Sequence, residues 1–287
     1  MSELIRQYLV SAIVIASAWA PTAAGISLIY GVLRYPNFAL GEFMTLGGYL
    51  TLGLSAGFGM PLPLAALIAV IAAGFVSLAV DQTAFRAVRR AGILPPILLS
   101  LGLMLILQNV VRAFWGNGAW QLDLPLTRPY DWLGFVITPY QLMCIAVSVL
   151  AIGASYMVLL RTRFGKAVRA LADNPDLALV SGIEPEPVYA GVAFMAGLLS
   201  ALGGVLLGLQ SVLTPLMGWD SLLPAFAVAI LGGLGNLMGA GVAALIVALA
   251  GEYSLLFVQS SYKSAVAFVV LALILIVRPA GILGGRS

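Results

Sequence analysis

The sequence has no histidine and a single cysteine, Cys144, in 287 residues. That removes imidazole general bases, histidine or multi-cysteine metal sites, and any intrachain disulfide. Charge is scarce too: 9% of the residues are Asp, Glu, Lys or Arg, where a soluble domain carries roughly a quarter. With 62% hydrophobic residues, a water-soluble globule would lack the polar side chain to cover its surface. The composition specifies an integral membrane protein. A phosphate-loop motif is also missing: the nearest fragment, Gly165-Lys166, has Leu160 where the first glycine belongs and Ala167 in place of Ser or Thr. Any ATP use must be supplied by another chain, so no ATP or other cofactor site is expected here. No serine–lysine or metal-ligand set for intramembrane hydrolysis stands out, and no potassium-channel type of filter. The net charge of +3 bears on orientation in the bilayer, not on nucleic acid.

What is present is a series of apolar runs. A crossing helix needs about 20 mostly apolar residues, and such runs cover 8–31, 61–84, 93–115, 139–160, 187–210, 236–257 and 262–278, with a shorter one near 42–58. The expected fold is all-α: one transmembrane domain over residues 1–287, a polytopic bundle of about eight helices plus a broken or half-length helix near 220–233. Glu3 and Arg6 precede a long apolar stretch without an n-region of several positive residues, which reads as a first span and not a cleaved signal; Pro21 is a candidate break in it. The clusters Arg86, Arg89, Arg90 and Arg161, Arg163, Lys166, Arg169 mark cytoplasmic loops, as do Arg278 and Arg286. The 116–138 segment balances Asp123, Arg128 and Asp131 among Trp120, Tyr130 and Trp132, as an external loop lying on the interface would. Parity then demands one more inward passage between 211 and 235. The 14 residues of 220–233 reach only about 21 Å at 1.5 Å per residue, short of the roughly 30 Å hydrocarbon layer. A short helix ending at Gly232-Gly233-Leu234-Gly235 is therefore predicted, its backbone buried in protein or lining a cavity. The same count places the N-terminus outside.

Three stretches carry candidate function. In 161–183, Asn174 is a good N-cap, Pro175 suits the first helical position, Asp176 favours the positive helix end, and Gly182 can stop the helix. They define a helix over 175–181 in a cytoplasmic loop, too short to persist alone, with Leu177 and Val180 on one face. It is either a docking element for a cytoplasmic partner or an ordinary capped turn. In 34–49, Glu42 sits at the edge of a span, where a carboxylate is costly and invites a functional reading, with Arg34 as its obvious partner. Asn37, Phe38, Gly41 and Glu42 are candidate pathway residues; the alternative is a short turn whose acid stabilises the next helix. The nearby glycines permit close backbone approach or a helix break. In 215–240, Asp220 with Ser221 reads as the N-cap of the short helix, with a positive end suited to drawing in a carboxylate-bearing solute. Asp220, Gly232, Gly233 and Gly235 are pathway candidates there, against a glycine-rich packing hinge. Gln108, Asn109 and Arg112 read as an interfacial cap, Glu252 as a helix-end acid reaching the outer interface, and Cys144 as packing.

With these motifs in order, the sequence resembles the LivH-type permease subunits of branched-chain amino acid ABC importers over nearly its whole length. Asn37-Phe38-Ala39 with Gly41-Glu42-Phe43-Met44 is similar to the family's NFAHGE stretch, and Arg89-Arg90 through Gln108-Asn109 to its fourth-span block. Gly165, Arg169-Ala170, Asn174, Ala178 and Gly182-Ile183 fit its ATPase-contacting loop. Leu231 to Gly235 with Gly239-Ala240 fits the later turn, and Arg278-Pro279 with Gly281 to Gly284 the C-terminal signature. Leu40 stands where the family usually has His, and Asn236 and Met238 replace its usual Ser and Pro, which suggests an altered solute. The resemblance implies a multi-pass inner-membrane subunit with no covalent chemistry of its own. Its partners would be a second, LivM-like permease, two cytoplasmic ATPases and an extracytoplasmic solute-binding protein. The loop 165–183, through Gly165, Arg169, Ala170, Asp173, Asn174, Pro175, Leu177, Val180 and Gly182, would couple to the ATPases. Branched-chain amino acids are the default solute; urea, short amides and small carboxylates are alternatives, and a self-sufficient secondary carrier is the competing class.

Overall fold

Apolar helices in lipid gain little from hydrophobicity against one another, so they associate where small residues let backbones approach. The computed structural model, which describes residues 2–125, 127–132, 135–257, 259, 263–277, 281 and 282, is built on that rule. Its first helix, α1 (Ser2–Leu33), is the central post and packs on α9 (Pro185–Gly208) and α11 (Leu237–Ser254). Gly25 lies against Ala196 and Gly203 against Ala18 and Thr22, so that a Cβ at either glycine would collide with its neighbour. In the same way Gly47 and Gly204 let α2 (Ala39–Leu52) close on α9. The glycines of 41–48 thus serve close approach and do not break α2. Pro21 does not break α1 either: the helix continues through it, as neighbouring helices allow in such bundles.

Around this core stand α3 (Leu62–Val80), α5 (Leu94–Trp115), α6 (Pro139–Arg161) and α12 (Lys263–Val277). A π-turn, Asp81–Phe85, and the short α4 (Arg86–Val88) prolong α3, and a second π-turn, Gly53–Gly57, prolongs α2. Among the described residues six helices are long and apolar enough to cross a membrane; α2, α10 and α12 are shorter. The predicted half-length helix is present as α10 (Met217–Gly232), 16 residues long. The two surface helices α7 (Arg163–Asp173) and α8 (Pro175–Val180) follow α6. The 116–138 segment carries a hairpin, β1 (Tyr130–Trp132) with β2 (Phe135–Ile137), paired antiparallel.

The bundle has two distinct ends. At one, Arg34 reaches the Ala172 carbonyl of α7, Gly235 N–H donates to Ser27, and Arg89 bonds Glu186. At the other, Tyr253 donates to the Ile5 carbonyl, Arg6 lies over the Phe135 ring, and Trp120 pairs with Leu213. Arg34, Arg86, Arg89, Arg90, Arg161, Arg163, Lys166 and Arg169 all belong to the first end, which the positive-inside rule makes cytoplasmic. Ile5 and Arg6, near the start of α1, belong to the opposite end. Arg278, Pro279 and Arg286 lie outside the described residues.

Candidate functional site

Two regions gather the predicted residues. The first is the loop that follows α6. Thr162 caps α7 by accepting from Gly165 N–H at 3.1 Å, and Gly165 presses on the Leu159 backbone where no side chain fits. Arg169 donates to the Leu159 carbonyl, fixing α7 against the end of α6. Asn174 accepts from Leu177 N–H at 3.0 Å and so caps α8, with Pro175 and Asp176 in the first turn. The helix ends at Val180, one residue before the predicted end, because Ser181 serves as C-cap and donates back to Leu177. Gly182 follows at φ +85°, a conformation that favours glycine. Ala178 faces inward, while Leu177 (64% exposed) and Val180 (86%) face out. Ala170 and Asp173 lie on α7; Asp173 and Arg169 line, with Tyr156 and Asn236, a cavity of about 500 Å³ at this end.

The second region lies where α2, α5 and α10 meet. Asn37 accepts from Ala39 N–H at 3.1 Å and turns the chain into α2; Phe38 packs on Phe226 of α10, and its N–H donates to Ser100 of α5. Gly41 contacts Gly218, whose N–H donates to Thr45 at 3.0 Å. So α10 begins beside the middle of α2, inside the bundle, and the segment before it is buried at Leu213 and tied to Trp120 and Tyr49. Irregular backbone at membrane depth survives only under such cover.

Several expectations are corrected here. Asp220 does not cap α10: the turn at Thr214–Leu216 feeds straight into the helix, Leu216 holds the cap position, and Asp220 falls in the first turn. Anion attraction at this end is already opposed, since Thr45 takes the Gly218 N–H and Asp220 supplies a carboxylate. Arg34 does not pair with Glu42. At φ +56° it swings toward α7, and Glu42 points into the bundle, 0% exposed, with neither carboxylate oxygen hydrogen-bonded. Thr45, three residues on, bears on the carboxylate without hydrogen-bonding geometry, and the charges of Arg112 and Asp220 reach it. Gln108 is buried and is no interfacial cap, whereas Asn109 is exposed and bonds its own helix. Glu252 sits two residues before the end of α11, as expected of a helix-end acid, and is buried.

The later glycines close the cytoplasmic end of α10. Gly233 takes φ +96° after Gly232 and Gly235 φ +91°, Gly232 packs on Gly239, and Ser27 of α1 binds both Gly233 O and Gly235 N–H. Asn236 caps α11 through Gly239 N–H, a role serine also fills. Leu40 is fully buried in the apolar core, so its difference from histidine bears on packing. Cys144 is buried, as a packing residue is. Sequence reasoning missed Ser27 and Thr45, single hydroxyls in apolar runs, and the ion cluster Asp81–Arg89–Glu186.

Residues 8–276 match the family model of the branched-chain amino acid transport system permease component. The chain is 30% identical to the high-affinity branched-chain amino acid transport system permease protein LivH of Salmonella typhimurium, across 97% of this chain and 95% of that one. It is equally similar, over the same shares, to the corresponding protein BraD of Pseudomonas aeruginosa. A solved metal-chelate type ABC transporter in an inward-facing conformation shares the fold, with a TM-score of 0.50, 17% identity, and coverage of 94% of this chain and 86% of that one. The chain belongs to the family of branched-chain amino acid transport permeases, and is a multi-pass membrane transport protein.

Proposed function

We propose that this chain is the LivH-like half of an ABC importer, through which branched-chain amino acids cross the bacterial inner membrane. It pairs with a LivM-like permease, receives solute from an extracytoplasmic binding protein, and is driven by two cytoplasmic ATPases that hold the nucleotide. The relatives' names support the solute, and the capped, outward-facing α8 supports the drive. An isolated six-residue helix presenting Leu177 and Val180 to water is unstable on its own; an ATPase groove over that face supplies the missing burial. On this reading residues 165–183 form the coupling loop of a single permease domain.

The observation that carries the pathway assignment is Glu42. A buried carboxylate with both oxygens unbonded is expensive, and here it lies in the fields of Arg112 and Asp220. Carboxylates on α2 and α10 with a guanidinium on α5 match a zwitterion: ammonium toward Glu42 and Asp220, carboxylate toward Arg112. Phe38 and Phe226 offer a branched side chain an apolar wall. This favours an amino acid over urea or a simple carboxylate. The test is uptake by proteoliposomes holding the complex with its cognate binding protein. Leucine, isoleucine and valine enter with ATP, and Glu42→Gln and Arg112→Gln each lower that uptake at least tenfold, the scale of a lost buried charge contact. Uptake by this chain alone, or indifference to both substitutions, removes the reading.

A further inference from the structure

The cytoplasmic end holds a charge cluster that does more than mark sidedness. The Arg89 side chain, 10% exposed, donates to Asp81 at 2.5 Å and to Glu186 at 2.7 Å. It lies 4.6 Å over the Tyr189 ring, and Arg86 approaches the same Glu186 at 3.7 Å. Apolar packing would hold these segments at least as firmly as a desolvated ion cluster, so stability alone is a poor reason for it. Asp81 opens the π-turn that prolongs α3, an irregularity of the kind found at functional points of helices.

The cluster sits where the chain leads from α8 into α9. Only Ser181 to Glu184 separate α8 from α9, and Glu186 is in the first turn of α9. The connector is taut: Ile183 N–H donates to the Ala178 carbonyl at 3.0 Å, and its side chain packs on the main core. Beyond the clamp, Phe85 of the π-turn stacks on Tyr35 with ring centroids 5.8 Å apart. Tyr35 adjoins Arg34, whose guanidinium holds the Ala172 carbonyl of α7 at 2.9 Å, and lies two residues before Asn37 at the entry to α2.

We infer that Arg89 is a positioning residue that carries displacement of α8 to the corner between α1 and α2. A shift of α8 moves the first turn of α9; Glu186 draws Arg89, Arg89 draws the π-turn through Asp81, and Phe85 shifts Tyr35 against the start of the helix that bears Glu42. The inference rests on the reading of α8 as the ATPase-docking helix.

The test uses the complete complex in proteoliposomes, with a Val180→Cys, Cys144→Ser chain cross-linked to a cysteine placed on the ATPase. Cross-linking in the otherwise unaltered chain checks the docking reading separately; its failure removes that reading and the inference with it. Glu186→Gln leaves the buried Asp81–Arg89 pair and the Tyr189 ring contact in place and removes the charge that ties Arg89 and Arg86 to the first turn of α9. Arg89→Lys keeps the charge but loses the planar fork that spans two carboxylates. Both variants keep the cross-link and hydrolyse ATP, while solute moved per ATP falls roughly three- to thirty-fold, the range of coupling changes along such networks. Glu186→Asp recovers part of the loss. An unchanged ratio in both variants with the cross-link intact overturns the inference. Loss of the cross-link in Glu186→Gln overturns it as well, because the clamp would then be holding α8 in place and not carrying its motion.

Discussion

Single residues here do unlike things with similar chemistry. Asn174 and Asn236 are both helix caps, and each accepts one backbone N–H. Removing the Asn174 cap costs about 1 kcal/mol, and a β-branched residue at Gly182, where φ is +85°, costs a further 1–3 kcal/mol or so. The double variant Asn174→Ala, Gly182→Val is therefore expected to insert at normal levels and lose most ATP-driven uptake. Normal uptake in it would dismiss α8 as the coupling element. Glu42 gives an opposite signature. Its unbonded oxygens make it a burden on the folded state, so Glu42→Gln is expected to hold or raise the thermal midpoint in detergent while uptake falls. A drop in midpoint would show that the carboxylate is structural. Cys144→Ala, a change in packing alone, is expected to leave uptake near its starting value.

At the scale of elements, the glycines sort by what faces them. Gly204 leaves no room for a side chain against the Met44 backbone of α2, and Gly232 none against Gly239 of α11, whereas Gly57 faces open space. Overpacking a tight contact costs about 1–3 kcal/mol. Gly204→Ala and Gly232→Ala are expected to lower the thermal midpoint, and Gly57→Ala to leave it unchanged; three equal midpoints would mean that the helices pack elsewhere. Helix α10 shows what a sequence can and cannot reveal about an element. Its existence, its brevity and its glycine stop were legible from parity and composition, because lipid forbids an unpaired backbone. Its start was not legible. Asp220-Ser221 is a good local cap signal, yet the contact of Gly218 with Gly41 and the bond to Thr45, some 170 residues away in the chain, favour a helix that begins at Met217.

For the whole molecule, the testable quantity is which end faces the cytosol. In a Cys144→Ser background, Trp120→Cys is expected to react with an impermeant thiol reagent on intact cells. Val180→Cys is expected to react only once the membrane is opened. Labelling of position 180 in intact cells would invert the topology and remove any ATPase from α8. The two ends differ in composition as well as position: basic residues crowd the end that holds α7 and α8, and the β1–β2 hairpin, with Trp120 bridged to Leu213, lies at the other.

Composition and periodicity by themselves determined the membrane class, the succession of spans and the capped helix after Asn174. Each follows from local rules: apolar length against lipid thickness, and backbone groups that must be satisfied within a few residues. Only the tertiary structure decided the partners of charges. Arg34 and Glu42, eight residues apart, look paired on paper, but the turn at Arg34 sends one to α7 and the other into the bundle. Arg89 and Glu186, which look like unrelated loop charges, close on each other. Pairing of side chains depends on where helices cross, and crossings are set by small-residue contacts spread along the whole chain, which no short stretch of it encodes.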